Sequence, residues 1–156
     1  MRNLALLAVI AVVAAGCAEK EEETALPADT ASVAPAPAGL TGADLAGTWE
    51  TSVRPADKDS VLNTYKLIAT SDNDGWKIVF PGRTDTVAVD VQSIVGDSVN
   101  FRFGPYSSAL RKDVQVVSEV VSRVQNGTMT GNLTAHYAVS TPDSVVQLRI
   151  EGTRTP

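Results

Sequence analysis

The chain has little of the residue types on which most site chemistry is built. Its 156 residues hold one cysteine, Cys17, and one histidine, His136. A single cysteine excludes an internal disulfide, and one Cys with one His cannot assemble a zinc site. Positive charge is also scarce: 13 Lys and Arg stand against 18 Asp and Glu, for a net charge of −5. The longest basic grouping is the pair Arg111-Lys112, and an acidic chain without a basic cluster is not built for nucleic acid. Apolar runs are short as well. The run at residues 4–13 is about half the ~20 residues that a bilayer-spanning helix needs.

That run carries the first positive signal. Arg2 supplies a basic start, residues 4–13 an apolar stretch, and Ala14, Ala15 and Gly16 lead into Cys17, which is followed by glutamates and a lysine. The order is that of an export signal. The residues Ala15-Gly16-Cys17, with Ala14 where leucine is commonest, resemble the lipobox of bacterial lipoproteins. The resemblance implies cleavage before Cys17, a diacylglyceryl group on its sulfur and an acyl chain on the new amino group. Physically, each buried methylene contributes ~0.8 kcal/mol, so several chains on one residue anchor durably where one does not. The expected organisation is a signal peptide at 1–16, the lipidated Cys17 with a disordered tether over 17–43, and a β-barrel domain over 44–156. Ala18, where aspartate would favour inner-membrane retention, makes the expected location the outer membrane facing the periplasm.

The tether is expected from composition. Glu19, Lys20, Glu21, Glu22 and Glu23 precede an Ala/Pro/Thr/Ser stretch containing Pro27, Pro35 and Pro37, with too little apolar surface to offset the entropy of ordering. A helical turn is expected at 41–46, with Thr41 as cap and Asp44 in the first turn. Strands are expected at 48–53, 61–70, 76–80, 86–95, 98–103, 114–124, 128–139 and 145–153. Asp74-Gly75 and Asn126-Gly127 suit type I′ hairpin turns, and Gly96-Asp97 suits type II′. Alternation places Val87, Val89, Val91 and Val95 on one face, Val99, Phe101 and Phe103 on another, and Leu148 and Ile150 opposite Gln147, Arg149 and Glu151. Eight sequential strands with one apolar face predict an all-β fold, an antiparallel up-and-down barrel that closes its own edges, with a two-sheet sandwich as the alternative.

Gly47-Thr48-Trp49 at the start of the first strand resembles the G-x-W opening of lipocalin-like (calycin) barrels. The resemblance implies that Trp49 closes one end of the barrel against a basic side chain of the last strand, either Arg149 or Arg154. Without it, Trp49 reads as a core aromatic beginning a strand. The lipobox, the tether and a valine-rich β domain ending EGTR together resemble bacterial envelope lipoproteins of a kind from which no activity carries over. Inward positions mixing Val with Ala, Gly and few aromatics leave room for a cavity.

No catalytic set emerges. His136 falls on the polar face of its strand with Thr130, Asn132 and Thr134, which argues against a haem-binding barrel. There is no G-x-S-x-G element, and Ser107-Ser108 are expected to satisfy backbone groups. Asp72-Asn73-Asp74-Gly75 fails the EF-hand pattern because Arg83 stands where the closing glutamate is required. The link GPYSSALRKD brings Tyr106, Leu110 and Arg111 together, either as a lid or partner contact at the barrel mouth or as a plug for one end of the core. The expectation is therefore a membrane-anchored, non-catalytic protein without a cofactor, binding a small apolar ligand. The alternative is a solid-cored module that binds another envelope protein.

Overall fold

A computed structural model describes residues 39–156. The expected signal peptide, Cys17 and most of the expected tether lie outside the described residues. The rest forms a single helical turn, α1 (Gly42–Leu45), and eight strands: β1 (Gly47–Pro55), β2 (Asn63–Ala69), β3 (Lys77–Val79), β4 (Thr86–Val95), β5 (Ser98–Ser107), β6 (Gln115–Gln125), β7 (Thr128–Tyr137) and β8 (Val145–Arg154). Each strand pairs antiparallel with the next, and β8 returns to β1, so the sheet is a closed up-and-down barrel and not a sandwich. Closure leaves no strand edge exposed for intermolecular pairing.

Alternation dictates the interior. Trp49, Thr51 and Val53 of β1, Tyr65 and Leu67 of β2, Val99, Phe101 and Phe103 of β5, and Leu148 and Ile150 of β8 are buried, while the intervening residues face out. Aromatics are few, yet all eight of them contribute to the core. Two Trp, three Tyr and three Phe are buried, except Tyr106, which is half-buried against the rest. The two exits differ. At one, called here the plugged end, α1 and the hairpin turns at Gly96-Asp97 and Asn126-Gly127 gather; at the other, the far end, lie the loops 56–62, 80–85, 108–114 and 138–144.

Three local expectations are corrected. A bulge in β4 between Val91 and Ser93 shifts the register, so Ile94 turns inward opposite Val99 and Val95 is left 72% exposed; one extra residue exchanges the faces of a strand. At Asp74-Gly75 only Gly75 has a positive φ (83°), whereas Asn126 (52°) and Gly127 (75°) both do. The β2–β3 link is therefore a seven-residue loop, residues 70–76, closed by the Trp76 indole, which donates to Thr70 O (3.1 Å) and Asp72 O (3.0 Å). The packed unit also begins before residue 44. Leu40 packs against the core and donates its N–H to Gly96 O at 2.7 Å.

Candidate functional site

The plugged end is built on α1. Asp44 Oδ2 accepts from the Thr41 N–H (2.9 Å) and hydroxyl (2.7 Å), capping the turn. Those bonds hold the Asp44 carboxyl below the usual carboxylate range. The turn sets Leu45 O where the fully buried Trp49 indole donates to it at 2.9 Å. Above the indole lies Arg154, its guanidinium carbon 4.8 Å from the ring centroid, and Arg154 also donates to Asp44 O. The register explains the choice between the two arginines. Arg154 sits directly opposite Trp49 on β1 and shares its face, whereas Arg149 sits opposite Arg54. Arg149 points outward and holds the β1–β2 loop through Pro55 O (3.3 Å), Lys58 O (3.0 Å) and Asp59 Oδ1 (3.0 Å).

The far end carries the segment that drew attention as a mouth loop. Beside Val116 of β6, a Cβ on Gly104 would lie 2.7 Å from Val116 O, and Gly104 has φ +111°. Only glycine fits that approach. The next turn of chain brings Tyr106 inward to stack on Phe80 (centroids 5.0 Å apart) and Phe103 (5.4 Å), with its hydroxyl 3.0 Å from Ser118 Oγ. Ser108 Oγ accepts from the Leu110 and Arg111 N–H groups, both at 3.0 Å. Two arginines fasten the loop. Arg83 donates to Ser107 O at 2.8 Å and chelates Asp85, while Arg111 lies 4.1 Å over the Tyr137 ring and pairs with Asp143 at 2.8 Å. Tyr106 thus plugs the core, Leu110 stays 42% exposed and Arg111 is a clamp.

Under that loop is a cavity of ≈ 30 Å³, lined among others by Val53, Tyr65, Phe80, Leu133 and Leu148 and roofed by Ser108, Ala109 and Leu110. Ligand pockets ordinarily occupy ~300–1,000 Å³. The outer wall has two shallow grooves of ≈ 400 Å³ and ≈ 310 Å³ over β1, β2, β7 and β8, divided by the Arg54–Glu151 ion pair. Large apolar side chains left exposed gather mainly at the far end, where Val61, Leu62, Leu110 and Val145 are 42–50% exposed. His136 faces out and lies 3.5 Å from Glu119. Among the described residues, no three His, Cys, Asp or Glu side chains converge as a metal site.

Sequence reasoning missed Tyr65, which the alternation of 63–69 marks as inward. Burial pushes its phenol far above the ordinary tyrosine range, the nearby Tyr106 adds to the shift and the Thr51 hydroxyl softens it. The fold and its two ends define a small, closed, eight-stranded up-and-down barrel with an apolar interior. Comparison of the chain with protein-family models, with curated proteins and with solved structures returns no match.

Proposed function

We propose that the chain is a lipoprotein of a bacterial envelope, anchored by acyl chains on Cys17 in the outer membrane facing the periplasm, whose barrel is a non-catalytic interaction module. The observation that carries the choice of module over carrier is the interior. At ≈ 30 Å³ the cavity beneath the far-end loop is about a tenth of what a lipid-sized ligand requires. This favours the solid-cored alternative over the apolar-ligand expectation.

Two features support a protein partner at the far end. The described chain enters at the plugged end beside Gly96, so the far-end loops are turned away from its entry point. Those loops and the start of β8 also carry four of the six large apolar side chains left exposed among the described residues, Val61, Leu62, Leu110 and Val145, the others being Val95 and Val121, and a gathering of exposed apolar groups is characteristic of contact sites. A photo-crosslinking residue at position 110 in intact cells is expected to capture a discrete protein neighbour, and one at Thr130 on the wall is not. Capture of lipid alone at position 110, together with saturable, displaceable binding of a fluorescent fatty acid, would reverse the reading.

A further inference from the structure

Asparagine stands at positions 3, 63, 73, 100, 126 and 132, and only Asn126 is followed by a glycine. Asn126 and Gly127 form the two-residue link between β6 and β7, across which Gln125 pairs with Thr128. Both link residues are exposed. Nothing lies within 4 Å of the place a Cβ on Gly127 would take, and the Gly127 N–H donates to no backbone carbonyl among the described residues. A side-chain amide and an uncommitted backbone nitrogen thus stand next to each other in open solvent.

We infer that Asn126 is a site of spontaneous deamidation and isomerisation, with water as the only co-reactant. The Gly127 nitrogen attacks Asn126 Cγ and forms a new C–N bond. The side-chain amide nitrogen then leaves as ammonia, carrying away the proton that the attacking nitrogen gave up, and a five-membered succinimide ring is closed. Water adds to either ring carbonyl. Opening on one side returns an ordinary aspartate, and opening on the other returns isoaspartate, in which the main chain runs through Cβ and Cγ.

Sterics and pairing select this position. Glycine has no side chain to crowd the closing ring, whereas Thr64, Asp74, Phe101 and Leu133 follow the other described asparagines. Asn100 and Asn132 are protected a second time, because β5 and β7 are paired on both sides there and the next residue's nitrogen is held in the ladder. Ring closure also needs rotation about the Asn126 Cα–C bond. Only the Gln125–Thr128 pair and a 3.3 Å bond from the Arg154 N–H to Gly127 O hold the turn against it, and an exposed hairpin tip so lightly held frays.

The product acts on the plugged end. It adds a carboxylate to the turns where Asp97 already stands, bonded to Gln125 at 2.9 Å. Isoaspartate also lengthens by one main-chain carbon a link that two residues just span, which dislodges Gly127 O from Arg154, the residue that covers Trp49. The site lies at the opposite exit from the partner surface and uses no group of the anchor.

The test ages the full chain carrying Cys17→Ser, which takes no acyl chain, at neutral and at mildly alkaline pH. Isoelectric focusing is expected to show one added negative charge per chain, formed faster at alkaline pH because the attacking nitrogen must lose its proton. Peptide mapping by mass spectrometry is expected to place it at residue 126 before any other asparagine, as a mixture of isoaspartate and aspartate. Asn126→Gln, whose longer side chain closes a ring slowly, should lack that first acidic species, with far-UV circular dichroism reporting that it folds. The aged parent should melt about 4 °C lower, the worth of one backbone hydrogen bond. A first acidic species at another asparagine, aspartate without isoaspartate at 126, a residue 126 still intact in the folded chain after the urea-unfolded chain has converted, or unchanged melting of the converted chain would each overturn the inference.

Discussion

Removal of the plug at the closed end is the most informative perturbation. Trp49 is fully buried, its indole N–H is committed to Leu45 O at 2.9 Å, and its face is covered by Arg154 at 4.8 Å. Trp49→Ala opens a cavity and orphans a carbonyl, which places the loss at about 3–5 kcal/mol. Arg154→Ala removes an exposed cation–π contact of about 0.5–1 kcal/mol and a backbone hydrogen bond of about 1 kcal/mol. Arg149→Ala removes an exposed ion pair of about 0–1 kcal/mol and two exposed backbone hydrogen bonds of about 0.5–1 kcal/mol each.

With an unfolding entropy of ~2.1 cal/mol/K per residue, a barrel of this size loses roughly 4 °C of Tm per kcal/mol. The expected falls are then about 12–20 °C for Trp49→Ala, about 6–8 °C for Arg154→Ala and about 4–12 °C for Arg149→Ala. Thermal unfolding followed by far-UV circular dichroism measures all three. In a Trp49→Ala background the Arg154→Ala change should lose its cation–π part, a coupling of about 0.5–1 kcal/mol. An Arg154→Ala change that costs as much in the Trp49→Ala background as in the parent, or a Trp49→Ala protein within about 1 kcal/mol of the parent, would refute the assignment of Trp49 and Arg154 as the closing pair.

Other outcomes follow from the same contacts. Gly104→Ala places a Cβ 2.7 Å from Val116 O at φ +111° and is expected to cost about 2–3 kcal/mol. Gly82→Ala, at φ +73° with nothing within 4 Å, should cost only the backbone share of about 1 kcal/mol, both read by urea titration. Tyr106→Phe leaves the buried Ser118 hydroxyl without its partner and should cost about 1–3 kcal/mol. On acidification, the carboxyls of Asp44, Asp85, Asp97 and Asp143 are all held below the ordinary value of 3.8. Their contribution is complete above that value and lost as pH falls through the lowered ones, so stability should decline on going below about pH 4, less steeply in an Asp44→Asn protein. At the alkaline end the Tyr65 phenol is held neutral in the fold, so stability should fall as pH rises above about 10, where the unfolded chain ionises.

Most of the architecture was legible in the sequence because a half-buried sheet writes its pleat into the chain. The alternation of β5 and β8 and the Asn126-Gly127 turn fix those strands and their faces unaided. The parity of β8 also contains the answer to the arginine question, since Arg154 shares the phase of Leu148 and Ile150 while Arg149 shares that of Gln147 and Glu151. The bulge near Gln92 was not legible. One extra residue has no compositional mark, and continuous alternation wrongly carried Val95 inward. Nor was the filling of the interior. Few aromatics suggested spare room, but the convergence of Tyr65, Phe80, Phe103 and Tyr106 on one another, with ring centroids 5.0–6.1 Å apart, comes from strands far apart in sequence.

Native mass spectrometry of the chain purified from its own membranes tests the central proposal most directly. The proposed lipoprotein with a solid barrel predicts a polypeptide beginning at Cys17, heavier than residues 17–156 by its acyl groups, with no lipid-sized molecule retained in the folded domain. A chain retaining residues before Cys17, an unmodified Cys17, or a stoichiometric lipid-sized ligand released only on unfolding would contradict it.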